Sequence, residues 1–219
     1  MRFNIDGPVW QFITQCTRFL ILNVLFVITI IPIVTIGPAR TALYSTVFAY
    51  TDNEGIDLGR EYLKRFKDEF LRSIASSLIF VALAAAIAFA IIFWYSSDTT
   101  LSNITLPVLI VATVVVVMTF ENHFPLQARY DNTFAGTWRN SLMLPWAVFT
   151  KTLALLAIDM AGIALFVFTG YLRVAFLLLG FAWLAYAKSL IYLKIFDQVS
   201  TDPHKKREAP DYTLPTASL

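Results

Sequence analysis

Cysteine, histidine and charge are all scarce in this chain, and each scarcity removes a class of function. The single cysteine, Cys16, excludes an internal disulfide and offers neither a CxxC pair nor a Cys/His metal cluster. It reads as a small membrane-facing residue. There are only two histidines, His123 and His204, and no HExxH, GxSxG, P-loop or GxGxxG motif occurs. With so little to build a catalytic centre from, we expect no enzyme, no cofactor, no metal and no nucleic-acid partner. Asp52 and Glu54 lie in a polar turn and need only solvation. Charged residues make up 15% of the 219 against 58% hydrophobic, which is too apolar for a water-soluble domain.

What is present is a series of long apolar runs. Residues 19–36, 74–95, 104–124, 148–168 and 172–194 are each long enough to cross roughly 30 Å of hydrocarbon at about 1.5 Å per residue. The first exceeds a signal-peptide core and follows Asp6 and Trp10 instead of a compact basic start, so it reads as a retained span. Backbone groups in lipid must pair within their own segment, and the alternation of a membrane β-barrel is absent. The predicted fold is an all-α polytopic bundle of about five spans. No linker or internal repeat divides residues 1–197, and 198–219, with three prolines after Thr201, reads as a flexible cytoplasmic tail.

Basic residues set the expected topology. The segment 37–73 carries Arg40, Arg60, Lys64, Arg65, Lys67 and Arg72, whereas 96–103 has no Lys or Arg. Placing the former in the cytoplasm puts fourteen of seventeen basic residues inside, leaves Arg2, Arg18 and Arg173 outside, and predicts an outside N-terminus with an inside C-terminus. A second arrangement stays open. If residues 38–50 dip into the membrane with the first span as a re-entrant hairpin, Arg2 and Arg18 return to the cytoplasmic side.

Several segments are candidates for function. Ile31-Pro32-Ile33-Val34-Thr35-Ile36-Gly37-Pro38 should kink or break the first helix, because each proline removes an N–H and crowds the preceding turn. Such a break either ends the span or exposes carbonyls to a solute path, with Thr35 and Gly37 at its centre. Residues 57–74 predict an amphipathic helix, with Leu63, Phe66, Phe70 and Ile74 on one side and Arg60, Lys64, Lys67 and Arg72 among the rest. Arg60, Lys64, Arg65, Lys67, Phe66 and Phe70 are its candidate lipid- or partner-docking residues. Ala82, Ala86 and Ala90, and Ala157 and Ala161, recur at the spacing of close helix packing, either within the bundle or against a partner or second copy.

Ionisable groups inside spans are costly and mark sites. Asp159 sits mid-span, with Asn23 as a possible partner. Glu121 and Lys188 lie roughly 6 and 9 Å from the inner boundary, within reach of a mutual salt bridge. Interfacial water for Glu121 and His123, and snorkelling for Lys188, are the simpler alternatives.

These stretches carry a family resemblance. Gly7-Pro8-Val9-Trp10, Leu22-Asn23-Val24-Leu25 running into Ile31–Ala39, Thr41-Ala42-Leu43-Tyr44, residues 62–70, residues 124–130 and Asn140-Ser141 resemble the YesL-like family of small bacterial membrane proteins. The likeness extends over residues 5–195, and the proline-threonine-glycine stretch is its most specific part. The family has no established reaction and is associated with carbohydrate uptake and polysaccharide utilisation. The resemblance therefore implies a plasma-membrane accessory subunit or regulator of a carbohydrate ABC importer. The loop by which an ABC permease engages its ATPase is absent from this sequence. A self-contained small-solute transporter or channel, using the broken first helix and Asp159, is the alternative.

Overall fold

The computed structural model describes residues 8–52, 55–97 and 99–199, and every regular element among them is helical. In order these are α1 (Pro8–Ile30), a 3-10 turn (Ile33–Thr35), α2 (Ile36–Asp52), α3 (Leu58–Asp68), α4 (Phe70–Ser97), α5 (Ser102–Arg129), α6 (Phe134–Ala147), α7 (Phe149–Phe168), α8 (Gly170–Ala175), a π-helical turn (Phe176–Gly180) and α9 (Phe181–Val199). Five helical stretches are long and apolar enough to cross a membrane: Phe12–Ile30, α4, α5, α7 and Arg173–Val199. The chain is thus a multi-pass helical membrane protein, as its apolar runs predict. Of the expected tail 198–219, residues 198–199 end α9 and 200–219 lie outside the described residues.

α1 starts earlier than predicted and stops at Ile30, two residues before Pro32. The proline leaves carbonyls without donors, and the Thr35 hydroxyl supplies one, lying 2.6 Å from the Thr29 carbonyl and 2.7 Å from that of Pro32. The chain then reverses into α2. Its residues from Gly37 to Phe48, Arg40 apart, are buried against α1, α3, α4, α5 and α9. Gly37 makes the approach possible: a Cβ there would meet the Phe124 ring, the Ser73 carbonyl and the Ser77 side chain, all at 2.8 Å. Short polar side chains join these helices, with the Ser73 hydroxyl 3.0 Å from Thr41 Oγ1 and accepting from Gln127 Nε2 at 2.8 Å.

Asp57 caps α3 by accepting from the amides of Gly59 and Arg60 at 3.0 and 3.2 Å. The helix presses Leu58 and Tyr62 inward, and the Tyr62 hydroxyl bonds that of Thr29. Burial raises the Tyr62 phenol above its ordinary range, so the group stays neutral. The alanine stripes do not form a buried seam: Ala82, Ala86, Ala157 and Ala161 are exposed and Ala90 is half-buried.

The last span is broken by its π turn. Phe176 and Gly180 are paired in this break, since a Cβ on Gly180 would fall 2.5 Å from the Phe176 ring. A π turn frees backbone groups that hydrocarbon cannot satisfy. Asn23 of α1 fills that role, donating to the Leu177 carbonyl at 2.7 Å and accepting from the Ala182 amide at 2.8 Å.

Candidate functional site

Four ionisable side chains from four helices meet beside α2. Arg40 is carried by α2, Glu121 by α5, Asp159 by α7 and Lys188 by α9. The Arg40 guanidinium donates to Glu121 Oε2 at 2.8 Å, and the Lys188 ammonium contacts Glu121 Oε1 while lying 2.7 Å from both carboxylate oxygens of Asp159. Tyr192 completes the shell by donating to Glu121 Oε1 at 2.6 Å. Two cations thus face two carboxylates, so the cluster carries no net charge when all four are ionised. Ions buried away from water persist only with this kind of mutual pairing and additional hydrogen bonds.

Exposure divides the four. Lys188 and Glu121 are 1% and 3% exposed, whereas Arg40 and Asp159 are 19% and 29% exposed. All four border a cavity of about 530 Å³ between α1, α2, α5, α7 and α9, whose remaining walls include Ile30, Phe120, Phe166 and Phe176. Its volume lies in the ordinary range of small-molecule sites. Arg40 also lies over the Phe120 ring, 4.8 Å from its centroid, which gives the guanidinium a second partner. Further along the same helices Tyr44, Phe48, Tyr192 and Phe196 form an aromatic group with centroids 5.4–6.0 Å apart, only Tyr192 and Phe196 stacked and the other pairs tilted or edge to face. Arg129 lies over the Phe48 ring at its far end, 5.7 Å from the centroid.

The sequence-predicted site residues separate into three groups. Glu121, Lys188 and Asp159 converge, and the anticipated Glu121–Lys188 pair forms. Lys188 does not snorkel, and neither Glu121 nor His123 reaches interfacial water: His123 is fully buried, with its ring nitrogens 3.0 Å from Ser141 Oγ and 2.9 Å from Ser76 Oγ. Asp159 is paired with Lys188 and not with Asn23, which instead bridges the π turn. Thr35 and Gly37 stand apart from the cluster, one serving the helix break and the other close packing.

The docking set also divides. Arg60, Lys64 and Lys67 are exposed on α3, but Arg65 turns inward to Glu61 at 3.1 Å and Ser45 at 2.6 Å. Phe66 and Phe70 are half-buried in an aromatic run with Tyr62. Arg40 and Tyr192 are the site residues that sequence reasoning missed. The only signal for Arg40 was a lone cation followed by mostly apolar and small residues, which a topology count reads as a loop charge. Among the described residues, no group of three or more His, Cys, Asp or Glu is placed to hold a metal.

Residues 19–91 match the family model described as "Protein of unknown function, DUF624", the family to which YesL-like proteins belong. The matched segment contains Asn23, Thr35, Gly37 and Arg40 but stops short of Glu121, Asp159 and Lys188. No curated protein and no solved structure matches the chain.

Proposed function

We propose that this protein is a non-catalytic accessory subunit or regulator of a carbohydrate ABC importer in the plasma membrane, with α3 and the C-terminus on the cytoplasmic side. The observation that carries the reading is the division of α3 into two faces. Leu58 and Tyr62 lock one face onto the bundle, while Arg60, Leu63, Lys64 and Lys67 stand outward. A basic, partly apolar face held rigidly at the membrane edge suits an acidic protein surface or anionic headgroups. The carbohydrate context comes from the resemblance to the YesL-like family. Reversing Lys64 and Lys67 to Glu tests it. The charge-reversed protein should fold and insert normally yet lose co-purification with a permease or ATPase subunit; undiminished association contradicts docking through α3.

A second reading rests on the cavity. A space of about 530 Å³ bordered by Asp159 and Arg40 suits a small-solute transporter or channel. In that case Asp159→Asn abolishes uptake of the solute into vesicles or cells. In the accessory role the same substitution leaves subunit association intact.

A further inference from the structure

The α1–α2 turn sits halfway along the two longest helices. Ile33 and Ile36 line a crevice with Val81 and Ala84 of α4 and with Val116 and Val117 of α5. These are the central positions of two 28-residue helices. Each helix measures about 42 Å, more than the hydrocarbon thickness of about 30 Å, so its centre falls near the middle of the bilayer.

Both far ends of the hairpin return to one place. Gln15 Nε2 of α1 donates to the Tyr50 hydroxyl of α2 at 3.0 Å, and the Phe19 and Tyr50 rings meet edge to face at 5.3 Å. Beyond them Asp52 pairs with Arg129, the last residue of α5, at 2.7 Å. The start of α1, the end of α2 and the end of α5 therefore share one end of the bundle.

The chemistry of the turn agrees. Ile31 and Ile33 are 74% and 66% exposed, and no charged residue lies between Arg18 and Arg40. An exposed turn at an aqueous boundary would be polar; this one is made for hydrocarbon, and Thr35 satisfies the carbonyls that water would otherwise serve.

We propose that α1 and α2 form a re-entrant hairpin, entering from the end that carries Asp52 and Arg129, turning at residues 31–35 near the bilayer centre and leaving by the same face. Four helices then cross the membrane completely, and the two chain termini lie on one side. Sixteen of the seventeen basic residues fall on that side. The remaining one, Arg173, caps the end of α7 by donating to the carbonyls of Phe166 and Val167 at 3.0 and 2.7 Å. The hairpin explains how Arg40 comes to lie deep in the bundle: a buried helix, not a lipid-facing one, delivers it to Glu121. This inference does not depend on the docking or transport reading.

The test uses the full chain with an epitope tag on each terminus, probed by antibody on intact and on permeabilised spheroplasts. The two tags should change accessibility together. A tag detected at one terminus of intact spheroplasts and hidden at the other overturns the hairpin. A second readout fixes the depth of the turn in a Cys16→Ser background. Ile33→Cys should react with a membrane-soluble maleimide but not with an impermeant one from either side, whereas Tyr171→Cys reacts with the impermeant reagent. Reaction of position 33 with the impermeant reagent places the turn in water and also overturns the hairpin.

Discussion

Lys188 Nζ lies 2.7 Å from each carboxylate oxygen of Asp159, twenty-nine positions earlier in the chain, and the same ammonium contacts Glu121. One buried cation therefore holds two carboxylates on two different helices. Lys188→Met should destabilise the protein by about 3–5 kcal/mol, because both carboxylates lose a buried partner. Asp159→Asn should cost less, since Lys188 keeps Glu121. Unfolding in SDS titrations checks the order; equal losses contradict it.

Asn23 makes one hydrogen bond to the Leu177 carbonyl within the π turn and one from the Ala182 amide just after it. Asn23→Leu leaves a carbonyl and an amide unpaired, at about 1–3 kcal/mol each. Hydrogen exchange should accelerate at Ala182 and its neighbours while the middle of α4 keeps its protection. Unchanged exchange at Ala182 shows that the π turn does not need Asn23.

At Gly37 the obstacle is contact. All three of its nearest neighbours would stand 2.8 Å from an added Cβ, and one of them is backbone. Gly37→Val should overpack the α2–α4–α5 junction and cost about 1–3 kcal/mol or more. Gly170→Val is the control, since nothing lies within 4 Å of that position. Thermal stability in detergent distinguishes the two.

Arg65 and Lys67 share a short helix but have different surroundings. Arg65→Ala breaks the bonds to Glu61 and Ser45 and should lose about 1.5–3 kcal/mol, as for hydrogen bonds to charged groups. Lys67→Ala should stay within about 0.5 kcal/mol of the parent, as exposed substitutions do. A comparable loss for both places Lys67 in the fold and removes it from the docking face.

Long apolar runs made α4, α5, α7 and α9 legible from the sequence despite Glu121, Asp159, Arg173 and Lys188 within the last three runs. The amphipathic spacing of residues 57–74 yielded only part of α3: the helix stops at Asp68, Phe70, Arg72 and Ile74 belong to α4, Leu63 faces outward with the lysines, and Arg65 turns inward. Counting depth from a span boundary put Glu121 and Lys188 within reach of each other, while snorkelling and interfacial water stayed the simpler readings. α2 escaped the same logic: Arg40, Thr41, Ser45 and Thr46 make it too polar for a span, since its environment is protein and not lipid. Arg40 was therefore read as a topology charge. The π turn was invisible because Phe176–Gly180 continues an apolar run without proline, and its Asn23 partner lies more than 150 residues away.

The most direct test of the functional account is affinity purification of the tagged chain from its native membrane in mild detergent, with co-purifying proteins identified by mass spectrometry. The accessory-subunit account predicts sugar-importer permease subunits at near-stoichiometric yield, lost when Lys64 and Lys67 are reversed to Glu. A homogeneous species without any importer subunit contradicts it and turns attention to Asp159 and the cavity beside it.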